Sequence, residues 1–415
     1  MQKLLSSLLL LAVAAAGADI NGYLKGFAFL NPHDRTYDRI GTRFQTRYSG
    51  GLGTRMEYFA AINFEFDQAA ARPDTLNTAT ENDLGRGAGF GVYPVEYYLD
   101  LHLAAADIRL GQQFIFWGAA DWVNPTDLIN PWDYANMSGE IEDYRLPVMA
   151  LSVQWYLGDL TLQGVLIPGF TPAVMPLPPD AQIAYPQLGY DEPQLGFRAT
   201  SYLGNTDISI CYFNGYDNLP TIRSSMDLSV LPPVPVFNVN YHSLQMFGLD
   251  FIRPIDAWNI KGEAAYLQTA DEGGNDVFVD NRNIQAVLGV DYIWSDDLLL
   301  NLQYVNRTLL DYQYSSEQGL IDNLGLTDYL TAPEKSSHSL STMISWKPFA
   351  YVSGRLLGVY NLQAGDSFTM AFLTWELADA THLTAGAVLF QGAENTTYGR
   401  MDQEDKLFIE LKRSF

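Results

Sequence analysis

Apolar and polar side chains alternate along the chain from residue 20 to the C-terminus, in segments of about ten residues. The connections between these segments are alternately short and long. Alternation with a period of two places the apolar side chains on one face of a sheet and the polar side chains on the other. A soluble β-sandwich buries its apolar face in one core and has no reason to alternate its loop lengths. The pattern is therefore typical of an all-β, single antiparallel transmembrane barrel, whose short turns and long loops lie at opposite ends.

The pattern predicts about 18 strands, with about 16 as the alternative count. The predicted strands are 20–30, 39–48, 54–66, 93–104, 107–117, 147–157, 160–168, 194–202, 206–214, 241–253, 258–267, 282–294, 297–307, 337–347, 352–361, 367–377, 381–390 and 406–415. In one of them, Leu300 and Leu302 oppose Asn301 and Gln303. Because a charge on the lipid face near the midplane costs ~2–4 kcal/mol, we expect the polar set to face the lumen.

Composition agrees with a membrane barrel and excludes other classes. Hydrophobic residues make up 47% of the chain and charged residues 17%, yet no apolar run is long enough for a transmembrane helix. The net charge of −24 argues against a nucleic-acid partner, which requires a basic face. Cys211 is the single cysteine, and the five histidines lack metal-binding spacing. We therefore predict no disulfide, no metal site and no cofactor.

The two ends of the chain indicate export and assembly into a membrane. Residues 1–18 read as a signal peptide, with Lys3, an apolar run and the small residues Ala16-Gly17-Ala18 before the cleavage point, although a buried N-terminal helix is the alternative. Residues 19–415 are then one barrel domain. The last strand ends at Phe415 and resembles the signal that the bacterial barrel-assembly machinery reads, with Arg413 as a departure from that pattern.

The segment 107–134 is the densest in chemistry. We expect a strand to end at Trp117-Gly118 and a structured loop to follow, because Asn124-Pro125 and Asn130-Pro131 favour turns. Three carboxylates in this loop are placed to cap short helical turns; they are Asp121, Asp127 and Asp133. With two prolines and several aromatic residues, the loop is expected to be compact.

The sequence LGQQFIFWG followed by DWVNPTDLINPWDY resembles a strand-loop motif of porin-like outer-membrane barrels. The families in question are the alginate-export-like barrels and a related family known only as a domain of unknown function. The resemblance covers about 25 residues and implies a substrate channel with a loop folded inward. The positions it carries over are Trp117, Gly118, Asn124, Pro125 and Asp127. The alternative is that the loop is pinned for structural reasons and touches no solute.

Charged and aromatic side chains supply further pore candidates. Rows of opposite charge facing each other in a pore set a transverse field, whereas the alternative is a wall network near the turn end. The loop tryptophans could form an apolar path, although tryptophan and tyrosine more often form interfacial girdles, for which Tyr97, Trp155, Trp294, Trp346 and Trp375 are candidates. The complete set of pore-lining or constriction candidates is Arg43, Arg47, Arg55, Glu57, Glu96, Asp100, His102, Arg109, Trp117, Asp121, Trp122, Asn124, Asp127, Trp132 and Asp133.

These patterns favour a porin-like channel for passive or facilitated passage of small solutes across the outer membrane of a Gram-negative-type bacterium. The partners expected are small solutes, outer-membrane lipid, lipopolysaccharide and the barrel-assembly machinery. One alternative is a surface-binding or adhesion barrel without transport. The other is a barrel hydrolase, but no Ser, His and acid spacing favours an enzyme. The solute, the ion selectivity and the oligomeric state stay open.

Overall fold

The computed structural model describes residues 19–68, 89–134, 138, 140–174, 182–184, 192–227, 234–274, 276, 279–312 and 334–415. The predicted signal peptide, 1–18, lies outside the described residues. Within these ranges no helix is long and apolar enough to cross a membrane.

Eighteen strands form one antiparallel sheet in which each strand pairs with its neighbour along the chain. Pairing of the first strand with the last closes the sheet into a barrel, with Tyr23 opposite Ser414 and Leu30 opposite Leu407. The barrel strands are β1 Asp19–Leu30, β2 Tyr37–Gly51, β3 Met56–Asp67, β4 Gly89–His102, β5 Ala106–Gln113, β6 Val148–Leu157, β7 Leu160–Ile167, β9 Gln194–Leu203, β10 Thr206–Tyr216, β13 Ser243–Ile255, β14 Trp258–Thr269, β15 Asn283–Ser295, β16 Leu298–Leu309, β17 Ser336–Phe349, β18 Val352–Asn361, β19 Ser367–Ala378, β20 Thr381–Gln391 and β21 Lys406–Ser414. The predicted count of 18 is confirmed.

Short turns and long connections alternate around the barrel as predicted. Two residues join β6 to β7 and two join β9 to β10. The start of β1 and the end of the last strand meet at this same rim, where Gly22 N donates to Phe415 O at 3.2 Å. We call this rim the turn end and the opposite rim the loop end. A 3-10 helix, Gly399–Glu404, lies in the connection between β20 and β21 at the loop end.

Side chains alternate between lipid-like exposure outside and burial inside. On β1, Leu24 is 55% exposed and the adjacent Lys25 is 1% exposed. The outward positions carry leucine, isoleucine and phenylalanine, while the inward positions of many strands carry charges or amides. This arrangement suits an exterior in hydrocarbon, where a charge near the midplane is costly, and an interior that carries polar groups and charges paired with one another.

Aromatic side chains gather near the turn end. Trp258 flanks one short turn and packs on Tyr292, with ring centroids 4.2 Å apart. The four predicted girdle tryptophans lie near the ends of their strands at this rim. They are Trp155, Trp294, Trp346 and Trp375. Tyr97 differs, because it is buried in a cluster with Ala60, Leu99 and Met149.

Two sequence predictions are wrong in detail. The strand predicted to reach residue 117 ends at Gln113, because Phe114 N donates to Glu96 Oε1 at 3.2 Å and Ile115 N donates to Asn130 Oδ1 at 2.6 Å. Side chains thus satisfy amides that a neighbouring strand would otherwise satisfy.

The long connections 169–193 and 215–240, predicted as loops, contain a separate three-stranded sheet. Its members are β8 Gln182–Ala184, β11 Thr221–Asp227 and β12 Val234–Asn240. β11 and β12 pair antiparallel, and β12 pairs parallel with β8. Sequence periodicity did not reveal these strands because each is at most seven residues long.

Candidate pore site

The connection between β5 and β6, residues 114–147, folds into the barrel, and we call it the inserted loop. It includes the short helix α1, Ile141–Tyr144. Its side chains and backbone contact the inner faces of strands from several parts of the wall, as the following contacts show. The inward fold that the motif resemblance implied is therefore present.

A tight turn at the start of the inserted loop is built from the motif residues. Trp117 is 2% exposed and its indole Nε1 donates to Gln163 Oε1 on β7 at 2.9 Å. Gly118 has φ +90°, and a Cβ there would collide with Asn124 and Glu263. Asn124 Oδ1 accepts from Asp127 N at 3.1 Å, so Asn124, and not the three aspartates, closes the turn.

Glu263 on β14 anchors this turn to the wall. Its Oε2 accepts from Ala119 N at 2.9 Å and from Ala120 N at 3.0 Å, and its Oε1 accepts from Thr126 N at 2.7 Å. The carboxylate is 4% exposed. Three backbone donors to one buried carboxylate fix the position of the loop against β14.

Asp121 forms a second anchor a few residues further on. Its carboxylate accepts from Lys261 Nζ on β14 and, at 3.0 Å, from Asn301 Nδ2 on β16. The side-chain amide of Gln303 makes two hydrogen bonds with the backbone of Asp121. Asp121 N donates to Gln303 Oε1 at 2.8 Å, and Gln303 Nε2 donates to Asp121 O at 2.6 Å. Asp121 therefore binds the wall and does not cap a helical turn.

Aromatic contacts hold the opposite side of the loop. Trp122 lies parallel to Phe368 of β19, with ring centroids 5.6 Å apart and an interplanar angle of 10°. Trp132 stacks on Tyr144 at 5.4 Å, and the Arg145 guanidinium lies 4.5 Å from the Trp132 ring centre. Trp122 has φ +59°, a conformation rarely adopted by a bulky residue, which the packing around it maintains.

The end of the loop forms a charged latch with β1, β2 and β21. Asp143 accepts from Lys25 Nζ at 2.7 Å and pairs with Arg43, and all three side chains are 2% exposed. Glu140 bridges Lys25 at 3.2 Å and Lys412 at 2.5 Å. We define the latch as Lys25, Arg43, Glu140, Asp143 and Lys412.

The remaining predicted wall charges lie apart from the inserted loop, near the turn end. Asp100 accepts two bonds from Arg109, at 2.7 and 2.8 Å, and His102 Nδ1 lies 2.8 Å from Asp107. Arg55 and Glu57 are exposed. These contacts stay within the wall, as in the wall-network alternative.

The other predicted candidates are spread between the two regions. Arg47 Nε donates to Gln45 Oε1 at 2.6 Å, and Glu96 accepts from the first residue of the inserted loop. Asp133 is 4% exposed and its N–H donates to Tyr144 O at 2.9 Å within the loop. Asp127 pairs with Arg145, also inside the loop.

Asp127 is expected to make the docking of the loop sensitive to pH. Burial raises its pKa to about 6 from an ordinary 3.8, although Arg145 opposes the shift; Glu263 and Arg198 also face it. A raised pKa favours the docked loop below the ordinary value, and this contribution, worth up to about 3 kcal/mol, is lost as pH rises through 6. As the pH rises from 5 to 7.5, the loop should therefore undock more often. In a planar bilayer, transitions to larger currents are expected to become more frequent over this range.

Asp127→Asn is expected to reduce that pH dependence, because the amide does not ionise. Asp34→Asn, at an exposed site in the connection between β1 and β2, is the matched control. An unchanged pH profile in a folded Asp127→Asn barrel would contradict the assignment.

Sequence reasoning missed most of the wall partners of the loop. Lys25 carried a signal, as a lone charge in the apolar strand YLKGFAFL, but Lys261, Glu263 and Gln303 resemble ordinary inward positions of their strands. Asp143 carried none, because its role depends on side chains that are 118 and 100 residues away in sequence.

Comparisons with known proteins place the chain among porin-like barrels. Residues 33–415 match the family described as a protein of unknown function, DUF1302. The comparison with curated proteins finds no match. Of the families that the loop motif resembles, the alginate-export-like barrels in particular are not supported.

Solved structures share the fold. OpdK of Pseudomonas aeruginosa, crystallised with vanillate, has a TM-score of 0.56 at 10% identity, over 96% of this chain and 98% of that chain. An improved crystal structure of the same protein, also called OccK1, gives the same values. OmpF of Salmonella typhi, in complex with daunomycin, has a TM-score of 0.45 at 9% identity, over 96% and 98%. At this identity the likeness to OpdK shows the fold alone. By the match over residues 33–415, the chain belongs to the DUF1302 family, and its fold is a porin-like β-barrel.

Proposed function

We propose that the protein is an outer-membrane channel through which small solutes pass by diffusion. The observation that carries this proposal is the closed barrel of 18 strands with a long connection folded inside it. Barrels of 16 to 18 strands are wide enough to enclose an aqueous channel. A loop fixed across that width would narrow the passage.

The two surfaces of the barrel support this placement. Large apolar side chains are exposed on the outside, among them Leu24 and Phe247 at 55% and 52%. Inside, the inserted loop contacts the wall through ion pairs and hydrogen bonds and also through an apolar cluster that includes Ile115, Trp117 and Ile129. An apolar exterior around an interior that carries charged and amide side chains is the arrangement of a water-filled membrane channel.

Selection would take place beside the inserted loop. Its contacts with β14, β16 and β19 and its latch on β1, β2 and β21 fix the narrowest part of the lumen. Selectivity depends on the groups at the narrowest ring and not on the net charge of −24. Five of the sequence candidates lie where loop and wall meet, namely Arg43, Glu96, Trp117, Asp121 and Trp122.

The proposal is tested by planar-bilayer recordings and liposome-swelling assays on the purified, folded protein, with heat-denatured protein as the control. We expect discrete single-channel conductance steps and uptake of small solutes. A folded barrel that shows neither would contradict a channel and favour a surface-binding barrel. Turnover of phospholipid or peptide that is lost on substitution of one Ser or His would favour the hydrolase alternative.

A further inference from the structure

A cavity of about 520 Å³ lies at the turn end of the barrel, between β15, β16, β17, β18 and β19. Its lining includes the apolar side chains Ile293, Leu299 and Phe372, the hydroxyls of Ser345 and Ser353, and the guanidinium of Arg355. The cavity is amphipathic, and its size suits a small organic molecule.

Arg355 faces the lumen. It lies on the same face of β18 as Leu357 and Val359, two and four residues further along. Both are buried in the apolar cluster against which Trp122 of the inserted loop packs. The Arg355 side chain therefore points into the barrel interior, in the part between the inserted loop and the turn end.

Arg355 is exposed within the lumen and has no carboxylate of the described chain within ion-pair distance. Other inward cations differ in this respect. Lys25 and Arg43 pair within the latch, and Lys261 lies 2.9 Å from Asp291 as well as bonding Asp121. In a chain of net charge −24, an unpaired inward arginine is free to bind an anion.

Three other charges line the cavity at its rim. Asp296 and Asp297 belong to the turn between β15 and β16, and Lys347 N donates to Asp297 O at 2.8 Å. Arg355 lies further from the turn than these rim residues do. In the register of the sheet it is opposite Ser345 of β17 and Phe372 of β19. Two carboxylates and one lysine leave the rim at −1, whereas the charged group next to the apolar lining is the Arg355 guanidinium.

We propose that this cavity binds a small organic anion, with its carboxylate on Arg355 and its apolar body against Phe372, Ile293 and Leu299. The hydroxyls of Ser345 and Ser353 are positioned to donate to the carboxylate. Guanidinium and carboxylate form paired, charge-assisted hydrogen bonds, and the phenyl ring supplies stacking area. The inference deepens the proposed channel function by naming a solute class, and it rests on that function only for the route by which the solute arrives.

Binding is measured by isothermal titration of the purified full-length protein in detergent micelles. The probes are benzoate, benzyl alcohol and benzylamine, which have similar rings and differ in charge. We expect benzoate to bind more tightly than the other two, and Arg355→Gln to weaken benzoate binding at least about tenfold. Arg355→Lys should retain part of the affinity, and Arg253→Gln, which removes an exposed arginine on another strand, should retain all of it.

The outcomes separate this inference from the channel proposal. If the protein conducts ions but binds the three probes equally, or if Arg355→Gln binds benzoate as the unaltered protein does, the anion site is wrong and the channel stands. If it binds benzoate through Arg355 but shows no conductance, the channel is wrong and the site stands. Should Arg355→Gln fail to fold, Phe372→Ala decides instead, because loss of the ring contact should also weaken benzoate binding.

Discussion

Deleting residues 120–134 is expected to raise the single-channel conductance of the protein severalfold. The deletion removes the anchor at Asp121, the Trp122 contact with Phe368 and the bulk of the loop beside β14 and β16. If, as we propose, this stretch of polypeptide constricts the lumen, its removal widens the path for ions. Planar-bilayer recordings in a symmetric salt solution measure the change.

We expect the barrel to stay intact in the deletion variant, because no strand is altered. Heat-modified migration in gels and circular dichroism test this, and Asp34→Ala in the exposed connection between β1 and β2 is a control that should keep the original conductance. If a folded deletion variant conducts like the original, the inserted loop does not narrow the passage. The structural alternative for the loop motif would then hold.

Asp143→Ala is expected to release the end of the inserted loop and to produce larger, fluctuating currents. It removes the carboxylate that Lys25 and Arg43 share, and both cations are 2% exposed. Lys25 keeps Glu140 at 3.2 Å and Glu410 at 3.4 Å, and Arg43 keeps Glu65 at 2.5 Å, so the cost stays below the about 3–5 kcal/mol of a buried charge left wholly unpaired. Loss of the two Asp143 ion pairs is expected to shift the loop from a docked state towards an ensemble of open states.

A matched variant separates the latch from a general loss of charge. Glu140→Gln should increase the current noise less than Asp143→Ala does. Glu140 is 28% exposed, and Asp143 keeps its ion pairs with Lys25 and Arg43 in this variant. Equal current noise in the two variants would contradict the central role of Asp143. Protease protection of the loop in the folded barrel gives a second readout that does not depend on conductance.

The latch and the Asp127 pair respond to pH in opposite directions. Burial would raise the pKa of Asp143, but Arg43 and Lys25 hold it well below its ordinary value. Its contribution is therefore present above the ordinary carboxyl pKa and is lost only as pH falls through the lowered value. Because the latch stays charged at neutral pH, it does not contribute to the pH sensitivity to which Asp127 contributes between pH 5 and 7.5.

Much of the barrel could be predicted because its information is local. Leu24 and Lys25 differ in exposure because successive strand residues point to opposite faces, and the short turns are read from glycine, proline and aspartate between periodic segments. The strand end at Gln113 could not be read in the same way. It depends on whether the amides of Phe114 and Ile115 find a strand or a side chain.

By itself, the sequence determined an all-β barrel of 18 strands, its two unlike ends and the segment of greatest internal order. Period-two alternation and turn residues act over a few positions, so they survive in one dimension. Only the tertiary structure decided that Asp143 meets Lys25 and Arg43, and that no carboxylate of the described residues lies within ion-pair distance of Arg355. Barrel closure brings together side chains more than 100 residues apart, and no local pattern specifies which charges become partners.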